Sequence, residues 1–211
     1  MEKLEILKYP DERLKRKSIE VVDFGKKFRE FVEKLIYTMY NLPGGVGIAA
    51  PQVNNPIRTI IVDTSKSTHK TNKVSHGLMV LSNSKIVHAE GEIIFREGCM
   101  SVPDYTGNVK RFYYIKVEAQ DINGNLITFD TEGFEAVVIQ HEIDHLEGKV
   151  FIEKVVSPKD IFRRKVYKEW GFNNAGRPGR PISNWAFQTS SRDDEAVKQS
   201  DNTANTECKS S

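Results

Sequence analysis

The chain has 211 residues, 38% hydrophobic and 28% charged, with a formal net charge of +2 and two cysteines, Cys99 and Cys208. That length suits one domain with a sizeable core and a short appendage, and so small a net charge gives no global pointer to nucleic acid or a membrane surface. The cysteines do not form a disulfide pattern, and no apolar run follows Met1, so neither a signal peptide nor a membrane span is expected and the cytoplasm is the default location.

Near the start, Tyr9-Pro10-Asp11 reads as a turn, because proline pushes the preceding residue out of helical geometry and Asp11 can bond its own backbone. From Asp23, a candidate N-cap, Phe24, Phe28, Phe31, Val32, Leu35, Ile36, Met39 and Tyr40 recur at helical spacing and predict an amphipathic helix. It stops at Asn41-Leu42-Pro43-Gly44-Gly45. Residues 45–52 then run Gly45-Val46-Gly47-Ile48-Ala49-Ala50-Pro51-Gln52, where small residues allow close approach and Gln52 brings an amide that both donates and accepts. The Lys-Ser/Thr of a phosphate loop does not follow, which disfavours nucleotide binding. Residues 59–62 and 78–81 read as strands on β-branched and apolar content, and a further strand lies within 87–95. Between them, residues 63–77 read as an exposed loop whose histidines, His69 and His76, are solvated.

The next stretch, Glu97-Gly98-Cys99-Met100-Ser101, has little apolar patterning, and its cysteine lies between polar residues rather than in a core run. A loop follows Pro103. Alternation over 115–119, a turn signal at Asp121-Ile122-Asn123-Gly124-Asn125 and a return over 126–129 predict an antiparallel pair. Asp130 or Thr131 can cap the next helix, which Phe134, Val137, Val138 and Ile139 bury.

That helix carries Gln140-His141-Glu142-Ile143-Asp144-His145-Leu146-Glu147-Gly148. His141 and His145, one turn apart on one face, can hold a divalent metal, and Glu142 can reach a water on it as general base. The helix alone lacks a third ligand. Beyond Gly148, a C-cap candidate, residues 150–152 read as a last strand, residues 159–170 as a basic helix, and residues 171–211 as a low-complexity, disordered tail that cannot bury enough apolar surface to offset chain entropy.

Taken together, residues 45–52, 97–101 and 140–148 resemble, in order, the three motifs of the peptide deformylases, with Met100 in place of the family's leucine; the likeness extends over about residues 4–169. The resemblance implies an α+β fold, antiparallel β-sheets packed around a central helix bearing H-E-x-x-H, with an N-terminal and a C-terminal helix, residues 1–170 being the catalytic domain. It implies a Cys99, His141, His145 metal site, usually occupied by ferrous iron, with zinc, nickel or cobalt able to replace it, and removal of the formyl group from the N-terminal formylmethionine of nascent peptides. In that scheme Glu142 shuttles the proton, and the amide of Gln52 and the backbone N–H of Met100 hold the developing oxyanion. Gly47 offers its backbone to an extended peptide, and Val46, Phe95, Phe134, Val137 and Val138 are candidates for the methionine pocket. Arg111 is placed to pair with Glu97 or Asp144, and Gln140 and Asp144 are structural groups near the ligands.

Departures are Asn83-Ser84 where the family often has Asn-Pro, and Asp104-Tyr105-Thr106-Gly107 without the basic residue some members place there. The basic segment with Arg163, Arg164, Lys165 and Lys168 can contact the ribosome or remain a solvated charge run. A zinc endopeptidase would commonly take its third ligand downstream, yet no histidine follows Gly148. A structural metal site would need a fourth protein ligand.

Overall fold

The computed structural model describes residues 1–67, 69–71 and 73–164. Helix α1 (Lys26–Tyr40) precedes strands β1 (Gly47–Ala49), β2 (Thr59–Val62), β3 (Met79–Cys99), β4 (Val102–Gln120) and β5 (Leu126–Glu132), then helix α2 (Gly133–Leu146) and strand β6 (Ile161–Arg163). The strands form one antiparallel sheet in the order β1-β2-β3-β4-β5, and β6 pairs with the start of β4. No helix is long and apolar enough to cross a membrane among the described residues.

The helix over α1 is as expected, buried through Phe28, Val32, Leu35 and Met39 against Ile48 and Ile61. Its N-cap is Gly25 rather than Asp23, whose carboxylate instead accepts the Gly25 N–H at 2.8 Å. The two stretches read as separate strands at 78–81 and 87–95 are parts of β3, which runs 21 residues with register shifts between Ser82 and Lys85, Ile86 and His88, and Gly98 and Cys99. The expected loop after Pro103 is the beginning of β4. Extra residues at such bulges bend a strand and re-aim its side chains, which lets β3 serve the sheet at one end and the Cys99 turn at the other.

Helix α2 is buried on nearly every side; only Ile143 and Asp144 are not. It packs against β1, β2, β4 and β5, with Ala136, Val137, Ile139 and Leu146 in one apolar cluster with Ile60, Leu81, Ile115 and Val117. A helix enclosed this way presents its ligands from a rigid element. Its N-cap is Glu132, the last residue of β5, rather than Asp130 or Thr131, and the cap makes no side-chain hydrogen bond. It ends at Leu146 with Glu147 as C-cap, one residue before the expected Gly148, which follows the cap in the left-handed region: Lys149 N–H donates to Asp144 O at 2.9 Å and Gly148 N–H to His145 O at 3.1 Å, the paired bonds of a Schellman stop.

Two C-terminal expectations fail. Residues 150–152 are not a strand; Phe151–Glu153 is a 3-10 turn, buried through Phe151, whose ring stacks on His141 at 6.2 Å. The basic helix over 159–170 is replaced, as far as residues are described, by a 3-10 turn at Pro158–Asp160 and by β6. Pairing with β4 and a cation-π contact of Arg96 over Phe162 at 3.6 Å outweigh helical propensity there. The rest of that segment and the tail at 171–211 lie outside the described residues.

Candidate metal centre

Three elements converge on one point. The β3–β4 connection delivers Cys99 through the register shift that leaves it opposite Val102, α2 delivers His141 and His145, and the 3-10 turn Ala50–Val53 delivers Gln52. Cys99 Sγ lies 3.2 Å from His145 Nε2, and one ligand atom from each of Cys99, His141 and His145 falls within 4.8 Å of the others, all three residues buried.

The donor chemistry suits a metal. Burial by itself would raise the Cys99 thiol, but the imidazoles, His145 first, hold it well below the usual cysteine range, as thiolate; thiolate is the ligating form. Ser101 N–H and Gln52 Nε2 each donate to that sulfur at 3.4 Å. His141 Nδ1 lies 2.7 Å from Glu97 Oε2, so its Nε2 is the nitrogen left for a metal, and a carboxylate behind a ligating histidine fixes ring orientation. Among the described residues this group has three members, which suits a catalytic ion with an open position rather than a closed structural one.

Glu142 is the fourth element of the site. Its Oε2 is buried without a hydrogen-bond partner, and burial pushes its carboxyl up to about 7. Its Oε1 lies 2.6 Å from where a Cβ on Gly47 would be, so β1's backbone passes directly over the carboxylate. Buried carboxylates are normally satisfied; an unpaired one beside three metal-type donors is arranged to meet a polar group from outside the chain.

A buried ion network supports the ligands. Arg111 reaches both partners expected for it: Nε and Nη2 donate to the two Glu97 oxygens at 2.6 and 2.8 Å, and Nη1 donates to Asp144 Oδ2 at 2.5 Å. Burial works to raise Glu97, but the hydrogen bonds from Arg111 and His141 win and hold it at about 2. Gln140 does not reach the metal ligands; it bridges to β4, accepting from Phe112 N–H at 3.0 Å and donating to Phe112 O at 2.9 Å.

Gln52 accepts from Ala49 N–H through Oε1 at 2.8 Å and donates through Nε2 to Ser101 Oγ at 3.1 Å as well as to Cys99. Both amide hydrogens are therefore engaged. Met100 sits in the two-residue turn between β3 and β4, its carbonyl accepting from Lys8 Nζ at 2.6 Å. The five expected pocket residues do come together: Phe95, Phe134, Val137 and Val138 share one buried cluster, with Val46 packed on it, and Val138 flanks the same face of Gly47 as Glu142.

Sequence reading missed three neighbours of the site. Lys8 anchors the Met100 turn, and no local pattern marks it. Arg164 lays its guanidinium over Gly98 and beside Thr106, a cation at the stretch that reads as lacking one. His69, expected in solvent, instead packs its ring on Phe95 and Phe134 at 4.7 and 5.2 Å; His76 is exposed as expected, with its Nδ1 2.6 Å from Glu135 Oε2.

Comparison with known proteins agrees with this geometry. Residues 3–160 match the family described as polypeptide deformylase. A relative named peptide deformylase 3, from Shewanella oneidensis, is 43% identical over 166 residues, 78% of this chain and 97% of that protein. Among solved structures, a peptide deformylase from Legionella pneumophila superposes with TM-score 0.68 at 34% identity, covering 75% of this chain and 89% of the other. One from Acinetobacter baumannii, with Met-Ala-Ser bound, gives TM-score 0.68 at 30% identity, covering 73% and 99%.

Proposed function

The chain belongs to the peptide deformylase family, and from that premise we propose how its residues divide the work. The reaction is hydrolytic removal of the formyl group from the N-terminal formylmethionine of nascent polypeptides, releasing formate. Cys99, His141 and His145 would hold one divalent metal, ferrous iron by family resemblance; zinc, nickel or cobalt suit the same ligand types. When bound there, such an ion supplies Lewis acidity toward a carbonyl oxygen and toward water.

Glu142 takes a proton from the attacking water and returns it to the leaving nitrogen. The observation that carries this role is its buried, unpaired Oε2 beside the three ligands. Two donors face the developing oxyanion, the backbone N–H of Met100 and the amide of Gln52. Since Gln52 Nε2 holds both Cys99 Sγ and Ser101 Oγ, its part requires exchanging the Ser101 bond for one to substrate. Gly47 pairs its backbone with the extended peptide, and Val46, Phe95, Phe134, Val137 and Val138 wall the pocket for the methionine side chain. The Met-Ala-Ser bound to the Acinetobacter neighbour supports a short N-terminal segment as the recognised unit. A cytoplasmic location accords with a nascent-chain substrate, and ribosome contact through Arg163, Arg164, Lys165 and Lys168 rests on their charge.

The test is formate release from formyl-Met-Ala-Ser by anaerobically prepared, iron-loaded protein. Glu142→Gln should lower kcat/KM by about 10²–10⁴-fold with metal content unchanged. A variant that keeps wild-type turnover removes Glu142 from the mechanism.

A further inference from the structure

The segment between β2 and β3 contains a histidine that the family motifs leave unassigned. Phe95 and Phe134 pack with ring centroids 5.6 Å apart. His69 closes the triangle, tilted on Phe95 at 4.7 Å and nearly parallel to Phe134 at 5.2 Å, with an interplanar angle of 18°. Both phenylalanines are buried whereas His69 is only partly so, so of these three rings the imidazole is the least buried.

Its position is enforced from several sides. Thr71 N–H donates to His69 Nδ1 at 3.3 Å, which sets the ring's rotation. Thr71 O accepts the N–H of Phe134, the helix residue under the ring; a Cβ on Gly133 would lie 2.2 Å from that oxygen, so glycine there permits the docking. Farther along, the fully buried Glu135 accepts from His76 N–H at 2.9 Å and Thr131 Oγ1 at 2.8 Å. The segment is thus fastened to the first turn of the helix that carries the metal ligands.

We propose that His69 is a specificity-determining residue: its ring caps the Phe95–Phe134 wall and limits the size of the first side chain that this deformylase accepts. The proposal rests on the reading that these two phenylalanines line the methionine pocket. An unbranched methionine can thread past a fixed three-ring wall, whereas a bulky aromatic side chain requires one ring to leave. His69 is the ring whose displacement leaves the buried core intact.

The experiment compares kcat/KM for formyl-Met-Ala-Ser and formyl-Phe-Ala-Ser in the full-length, iron-loaded wild type and in His69→Ala, His69→Trp and Lys70→Ala, with thermal melts to establish folding. His69→Ala should raise the Phe-to-Met ratio about tenfold, the scale of one or two methylenes in an apolar pocket. His69→Trp should lower it, and Lys70→Ala should leave it unchanged. If His69→Ala and His69→Trp alter both substrates in equal proportion, the proposal is overturned while the pocket reading survives. If Val138→Ala also leaves the ratio untouched, the pocket reading itself is wrong.

Discussion

At Gly47 a missing side chain is what lets the β1 backbone pass close over the Glu142 carboxylate, the proposed base. A Cβ there would stand 2.6 Å from Glu142 Oε1 and 2.8 Å from Val138 Cγ1, both well inside van der Waals contact. Gly47→Ala must therefore push the carboxylate or the β1 backbone aside. Misplacing a reacting group by about 1 Å can cost about 10²-fold in rate, so kcat/KM for formyl-Met-Ala-Ser should fall by that order while the bound metal, measured by elemental analysis, stays at the wild-type level. Unchanged kinetics would mean that Glu142 tolerates displacement and is not the base. Such a position is legible only as a glycine in a small-residue run; its reason lies in α2, 95 residues away in the chain.

At the scale of elements, the three ligands depend on the pairing of β3 and β4 with α2 through Arg111. Glu97 on β3 and Asp144 on α2 are held by one guanidinium on β4, and Lys154 adds a second contact to Asp144 at 2.8 Å. Removing one member of such a buried network leaves charges unpaired, at about 3–5 kcal/mol. Arg111→Met should lose stability on that scale in urea unfolding and, because Glu97 orients His141, weaken metal binding about 10–100-fold. A variant with wild-type metal affinity would reduce the network to a purely structural clamp.

The same elements show where sequence reading succeeds and fails. The α2 ligands, the α1 face and the hairpin from 115 to 129 follow periodicity, because packing on one face repeats along the chain. The length of β3 and β4 does not, since Gly91, Gly98 and Pro103 interrupt the pattern while a bulged antiparallel partner keeps the ladder intact. Cys99 is legible as a ligand by family likeness rather than spacing, and the contacts of His69 and Arg164 are not legible because their neighbours come from elements distant in sequence.

For the whole molecule, the question is whether the metal builds the fold or only occupies it. Two of the three ligand side chains are already held by other protein groups: Cys99 by Ser101 and Gln52, His141 by Glu97 and, behind that, Arg111. The two larger apolar clusters, one on each side of the sheet, do not involve the ligands; a smaller one, with Val102, Val109, Val150 and Phe151, includes Cys99. The protein stripped of metal by chelation should therefore stay folded, unlike a domain whose metal supplies its core. It should still be less stable, because anything that binds only the native state adds RT ln(1 + [L]/Kd), about 4 kcal/mol when free metal is at 1,000 Kd. For a chain of this size each kcal/mol moves Tm by about 2–4 °C, so removal should lower Tm by about 10 °C and re-addition should restore it. Calorimetry with far-ultraviolet circular dichroism separates the outcomes. Equal Tm values with and without metal would deny Cys99, His141 and His145 their role, and a stripped protein without a cooperative transition would make the ion a structural staple.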